Sequence, residues 1–235
     1  MFFKQQNNFR YIDFDTSKLE SYDCIYVVLS DRAYKSILAE TLSLGDCETG
    51  GIFLGHFINR VWYVIECVDA GLTTVNTSVS FHYDEKYVNH QVKKIGRLYN
   101  HPLTILGIWH RHPGSMDTFS STDLHSIGIH VSRFRVGVLS MLVNVDPKLR
   151  MTFYYCGKEH TLMKVPYDVG DHLIIKDLLS LADTDKIQEN ACGNENRKSR
   201  IEILCNNRLP QNMMPLTIQG DPIPIVQTAL FRPYK

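Results

Sequence analysis

The almost wholly apolar run Leu103-Thr104-Ile105-Leu106-Gly107-Ile108-Trp109 leads directly into His110-Arg111-His112-Pro113-Gly114. No other feature constrains the fold as much, because it predicts a buried strand that ends in two imidazoles. Side chains two apart on a strand share a face, so His110 and His112 aim together and Arg111 turns away. Pro113-Gly114 ends the strand and turns the chain. Beyond it, Ser120-Ser121-Thr122 supplies N-cap candidates for a helix carrying Asp123 in its first turn, where a negative charge is favourable. Two ring nitrogens and a carboxylate make three protein ligands and leave a fourth tetrahedral position open. That arrangement suits a catalytic zinc ion better than a structural one.

Hydrolysis at such a site also needs a base. The candidate is Glu48, in Glu48-Thr49-Gly50-Gly51-Ile52-Phe53-Leu54-Gly55, placed where a helix hands over to a strand. Together these residues resemble the JAMM (MPN-plus) zinc metalloproteases. The motif of that family is an upstream Glu, then His-x-His-Pro with seven residues between the second His and a Ser, then x-x-Asp; here it is Glu48, His110-Arg111-His112-Pro113, Ser120 and Asp123, with every spacing kept. The resemblance covers roughly Leu29 to Val165. It implies an α/β fold of the JAMM (MPN, cytidine-deaminase-like) type, a mixed β-sheet flanked by α-helices. It also implies one Zn2+ per chain held by His110, His112 and Asp123, with Glu48 as general acid/base and Ser120 hydrogen-bonding the oxyanion.

The implied activity is that of a zinc-dependent isopeptidase or peptidase. It would cleave after the C-terminus of a ubiquitin-like protein, in deconjugation or in precursor processing. The phrasing around Glu48 looks most like the bacterial branch, whose members sit in anti-phage or mobile-element operons beside ubiquitin-activating-like enzymes. The partners so implied are a ubiquitin-like protein or its conjugate as substrate, and ubiquitin-activating-like and conjugating-like (E1/E2-like) enzymes.

Duller readings stand beside these. A His-x-His pair alone is a weak sign of metal, and the Pro, the Ser-x-x-Asp and the upstream Glu each cut the chance of coincidence. Ser120 is also an ordinary helix start, and both roles are compatible; Ser121 breaks the spacing. Cys47 abuts Glu48, yet a free cysteine is usually a small buried hydrophobe. His125 points away from Asp123 on a helix, and His82, His90, His101, His130, His160 and His172 have no partner at ligand spacing. Arg111 could steer an acidic substrate tail, but a salt bridge on the far face of the strand is the favoured reading.

Composition bounds the rest. With 235 residues and 44% hydrophobic content the chain can bury one core. Lys plus Arg equals Asp plus Glu at 25 each, which leaves no basic footprint for nucleic acid. The six cysteines show no C-x-x-C, which suits a reducing cytosol. The first residues resemble no signal peptide and no stretch is long enough to span a bilayer, so a soluble cytoplasmic protein is expected. Two rivals from other classes are a catalytically silent scaffold of the same fold and a zinc deaminase. The intact motif argues against the first. The second usually carries His-x-Glu with Pro-Cys-x-x-Cys, which this chain lacks.

The expected organisation is a lead-in over residues 1–24, a catalytic domain over 25–182, and a polar linker with a C-terminal extension over 183–235. Strands are expected at Ile25–Leu29, Ile52–Phe57, Val61–Val68, Val136–Val145 and Met151–Tyr155. Ser30-Asp31 opens a helix to about Leu44 with Ala33, Ile37 and Leu38 inward. Asp84-Glu85 opens another whose Val88, Val92, Ile95 and Tyr99 recur at helical spacing. The polar run between Asp69 and Ser80 is either a substrate clamp, as the resemblance implies for the corresponding insertion, or a plain loop.

Overall fold

The computed structural model of the chain describes residues 9–71, 74–77, 81–114, 116–134 and 136–183. The expected extension from 184 onward lies outside them. The strands are β1 (Arg10–Ile12), β2 (Tyr26–Leu29), β3 (Thr49–Ile58), β4 (Val61–Asp69), β5 (Val75–Asn76), β6 (Phe81–His82), β7 (Thr104–His112), β8 (Val138–Asn144), β9 (Arg150–Cys156), β10 (Thr161–Val165) and β11 (Tyr167–Val169). The helices are α1 (Asp31–Ser43), α2 (Glu85–Ile95) and α3 (Ser121–Arg133). Nine strands form one mixed sheet in the order β1-β10-β9-β8-β7-β3-β4-β2-β11, and β5 and β6 pair separately.

One residue sets the shape of this sheet. Only Pro166 separates β10 from β11, yet these strands lie towards opposite ends of the order. A chain advances only about 3.3–3.6 Å per residue, so the sheet must curl until its ends approach. Pro166 also has no N–H to give a ladder, while its carbonyl accepts from Val27 N at 3.0 Å as β11 joins β2.

The curl divides the side chains by strand alternation. Phe53, Trp62, Trp109, Leu139, Met141 and Phe153 face the inside, where α1 contributes Ala33 and Ile37. Ile52, Leu54 and Ile108 face outward against Val88 and Val92 of α2. Leu142 and Tyr154 meet Ile127 and Val131 of α3 in a second outer cluster. In β7 both Ile105 and Ile108 face outward. Their odd spacing is reconciled by a bulge, where the β3 register passes from Gly107 directly to Ile105.

Local chemistry explains the boundaries. Ser30 caps α1 by accepting from Ala33 N at 2.9 Å, and its hydroxyl donates to Ile65 O at 2.6 Å, so one side chain starts the helix and ties it to β4. Asn59 and Arg60 take φ of 50° and 68°, the left-handed pair that a tight hairpin between β3 and β4 requires. The strand expected from Val136 begins at Val138, because Gly137 has φ of 82° and breaks the extended run.

Tyr99 departs from the expected helix. α2 ends at Ile95, and Tyr99 is buried beyond it because its O–H donates to Glu66 Oε1 at 2.5 Å. Glu66, only 2% exposed in β4, also pairs with Arg32 Nε at 3.0 Å. Burial pushes this carboxyl above its usual range, against the pull of the Tyr99 hydrogen bond and the Arg32 charge. Among the described residues no helix is long and apolar enough to cross a membrane.

Two buried histidines make the fold acid-sensitive. Burial, aided by neighbouring His101, lowers His56 from 6.5 to about 4, and burial with Arg133 lowers His130 likewise to about 4. Between those values the unfolded chain binds more protons. Their contribution is therefore whole above pH ~6.5 and is lost as pH falls towards ~4, by roughly 3 kcal/mol per histidine. Thermal unfolding followed between pH 7 and pH 4 should show this fall, and His130→Leu should remove about half of it. An unchanged slope in that variant would take His130 out of the account.

Candidate metal centre and base

The end of β7 is where alternation becomes chemistry. His110 and His112, 6% and 2% exposed, lie on the outer face, and Arg111 turns to the inside. α3 follows at once, with Ser120 as its N-cap. Ser120 Oγ accepts from Asp123 N at 3.2 Å while Asp123 Oδ2 accepts from Ser120 N at 2.7 Å. This reciprocal box fixes the carboxylate of the first helical turn.

The three side chains expected to bind metal come together. His110 Nε2 is 3.0 Å from His112 Nε2, and Asp123 Oδ2 lies 3.4 Å and 3.5 Å from the two nitrogens. Ligands around a tetrahedral zinc with bonds of ~2.0–2.1 Å would be about 3.3–3.4 Å apart. The donor set therefore fits such an ion in type and in spacing, and it is the one His/Cys/Asp/Glu cluster of this kind among the described residues. Burial alone would raise the Asp123 carboxyl. The charge of His110 and hydrogen bonds from His110, His112 and Ser120 overcome this and hold it well below the usual carboxylate range. His112 moves the other way. Burial opposes a proton there, but Asp123, the Met116 carbonyl and Glu48 together favour positive charge on the ring. An environment that draws a proton between these groups also suits a cation.

The second layer was not foreseen. His112 Nδ1 lies 3.0 Å from Met116 O, a contact that places the proton on Nδ1 and leaves Nε2 its lone pair for a metal. Met116 O also accepts from Asn144 Nδ2 at 2.9 Å, and Gly114 O accepts from the same nitrogen at 3.2 Å. Asn144 is the β8 residue paired with His112. A single polar residue closing the apolar run of β8 was the available signal. On the other side, the Phe119 ring lies 5.6 Å from His110 and 5.1 Å from Tyr154. The Tyr11 hydroxyl of β1 accepts from Phe119 N at 3.1 Å, so the N-terminal strand braces the approach to α3.

Glu48 arrives by strand pairing. β3 runs antiparallel to β7 with Thr49 opposite Arg111 and Gly50 opposite His110, so Glu48 stands one step further along, at the level of His112. It is half-buried. Burial raises its carboxyl above the usual range, against the charges of His110 and His112 and with that of Asp123. Close packing explains the glycine three positions on, since a Cβ on Gly51 would meet Val68 O at 2.3 Å and Trp109 Nε1 at 2.5 Å. The Glu48 amide donates to Thr77 O at 2.6 Å, which ties this residue to the end of β5.

Arg111 corrects an expectation. It is buried, not on the surface, and no carboxylate lies within ion-pair distance of it among the described residues. Its Nη1 donates to Leu44 O at 2.5 Å and Cys47 O at 3.1 Å. Cys47 thus enters through its carbonyl. His125 is exposed on α3, as expected, and His101 pairs with Asp177 at 2.6 Å away from the centre.

A profile of the prokaryotic homologues of the JAB domain matches residues 30–153, more than half of the chain and including every residue of this centre. The chain belongs to the prokaryotic JAB-domain family. A curated relative is COP9 signalosome complex subunit 5 of Candida glabrata, 26% identical over 105 residues, which are 43% of this chain and 23% of that protein. The chain thus spans under a quarter of the length of this relative. A solved structure, protein DSY2949 from Desulfitobacterium hafniense, aligns with a TM-score of 0.48 and 14% identity over 63% of this chain and 97% of that one. Within the JAB domain described here, Asn144→Ala should weaken divalent-metal binding by about 10–100-fold, by freeing the carbonyl that orients His112. A metal titration monitored by competition with a chelating dye would show it, and unchanged affinity would discard the role.

Proposed function

We propose that this JAB-domain protein is a zinc-dependent isopeptidase or peptidase that cleaves after the C-terminus of a ubiquitin-like protein. The observation that carries the reading is the convergence of His110, His112 and Asp123 at tetrahedral spacing beside a half-buried Glu48. The family includes isopeptidases, and the expected motif is intact. The wider setting, bacterial anti-phage defence with ubiquitin-activating-like enzymes as partners, belongs to the same proposal and rests on the resemblance around Glu48.

His110, His112 and Asp123 would hold the zinc ion, which when bound acidifies water and polarises the scissile carbonyl. Glu48 takes the proton of the attacking water and returns it to the departing nitrogen, so the C–N bond breaks, a C–O bond forms and the amine leaves neutral. Burial that keeps the Glu48 carboxyl above its ordinary range makes it a better proton acceptor. Ser120 can cap α3 and still act, because its oxygen accepts from Asp123 N and its O–H, which lies beside the Asp123 carboxylate, would turn to the developing oxyanion. The β5–β6 pair, tied to Glu48 through Thr77 O, is the candidate clamp for an extended tail, which would bind by strand addition.

The deciding experiment is cleavage of a ubiquitin-like protein fused or isopeptide-linked at its C-terminus, with and without a zinc chelator. Cleavage by the wild type that chelation abolishes is expected. Glu48→Gln should retain one zinc per chain and lose at least about 10²-fold in turnover, the contribution of a positioned base. His112→Ala should lose both metal and turnover. A fully active Glu48→Gln protein would refute the base, and a folded wild type that binds no zinc would favour a silent scaffold.

A further inference from the structure

We infer that Arg111 is a positioning residue for Glu48: its buried guanidinium latches the loop between α1 and β3 so that the base is held at the level of the metal ligands. This rests on Glu48 being the base, and it asks what keeps that side chain in place.

The loop, residues 44–48, has little of its own to hold it. Gly45 and Asp46 are exposed, and a Cβ on Gly45 would meet nothing within 4 Å. Two contacts fix its far end. One is the Glu48 amide given to Thr77 O. The other is Arg111, whose Nη1 reaches across the carbonyls at both ends of the turn, Leu44 O at 2.5 Å and Cys47 O at 3.1 Å. The carbonyl of Cys47 belongs to the peptide whose nitrogen is that of Glu48, so this latch acts on the base through one rigid plane.

The arrangement is costly unless it serves the site. Arg111 is 4% exposed, has no carboxylate partner among the described residues, and its Nε has no hydrogen-bond partner. Burying a cation without a counter-charge is unfavourable, and an apolar side chain would fill the inside of the curled sheet better. What the guanidinium adds is one nitrogen with two N–H groups, far enough from β7 to give one to each carbonyl. Alternation on β7 then has a second consequence. The residues on either side of Arg111 aim at the metal, and Arg111, pointing the other way, reaches the loop that brings the base to them.

The test uses the zinc-loaded full chain and the variants Arg111→Met and Arg111→Lys. Three readouts are zinc stoichiometry, amide hydrogen exchange of residues 44–49, and kcat and KM on the ubiquitin-like fusion. In Arg111→Met, zinc should remain at one per chain and exchange across 44–49 should be at least about tenfold faster. Turnover should fall by about 10²-fold in kcat with KM nearly unchanged, because the base is misplaced while binding is not. Arg111→Lys, which keeps the charge on an ammonium of different reach and geometry, should lie between.

Wild-type exchange in Arg111→Met would overturn the latch. So would loss of zinc from a folded variant, which would make Arg111 a support of the ligand strand instead. If Arg111→Met does not fold, Arg111→Lys decides by the same two readouts. The exchange measurement needs no substrate. A wild type inactive on every fusion would therefore sink the proposed activity and still leave the latch to be judged.

Discussion

The antiparallel pairing of β3 with β7 is the contact on which the rest of the molecule depends. It crosses the middle of the sheet and sets Gly50 beside His110 and Thr49 beside Arg111. The carboxyl of Glu48 is thereby delivered to two imidazoles from far later in the chain. The register cannot slip, because a one-residue shift would exchange the faces of every side chain on the strand. Trp109 would then leave the core and the imidazoles would enter it. The bulge near Leu106 and the tight fit at Gly51 give this pairing its fixed alignment.

Electrostatics around the centre follow from that geometry. A carboxylate at the start of α3 and another before β3 face two imidazoles in a partly dry setting, so the negative groups draw positive charge between them. The two carboxyls are pushed in opposite directions. Hydrogen bonds and the neighbouring rings lower Asp123, whereas burial raises Glu48. Two carboxyls of identical chemistry are thus set apart by their surroundings alone.

What the sequence made legible was local. Alternation at His110 and His112, the turn at Pro113 and the cap at Ser120 each depend on neighbours a few positions apart, and each appears in the structure. What it hid was non-local. β1 and β11 are three residues long with no run of buried positions, so their strand character exists only through partners distant in the chain. Tyr99 shows the same limit, since helical spacing matched it to α2 while a buried carboxylate from β4 holds it elsewhere. The contacts of Arg111 and Asn144 were hidden too, although Asn144 showed as the polar end of an apolar run. One depends on loop carbonyls and the other on a carbonyl beside a ligand, and backbone acceptors leave no trace in composition.

The curled sheet has a further consequence, for how the molecule keeps apart from its own copies. A flat nine-stranded sheet offers two long rows of unpaired backbone groups, the usual route to edge-to-edge aggregation. Here the outermost strands are β1 and β11, three residues each, and the single-residue link at Pro166 draws the two ends of the sheet towards each other. Little bare edge is left to template another chain. The proline between β10 and β11 thus helps keep the ends of the sheet from pairing with another copy.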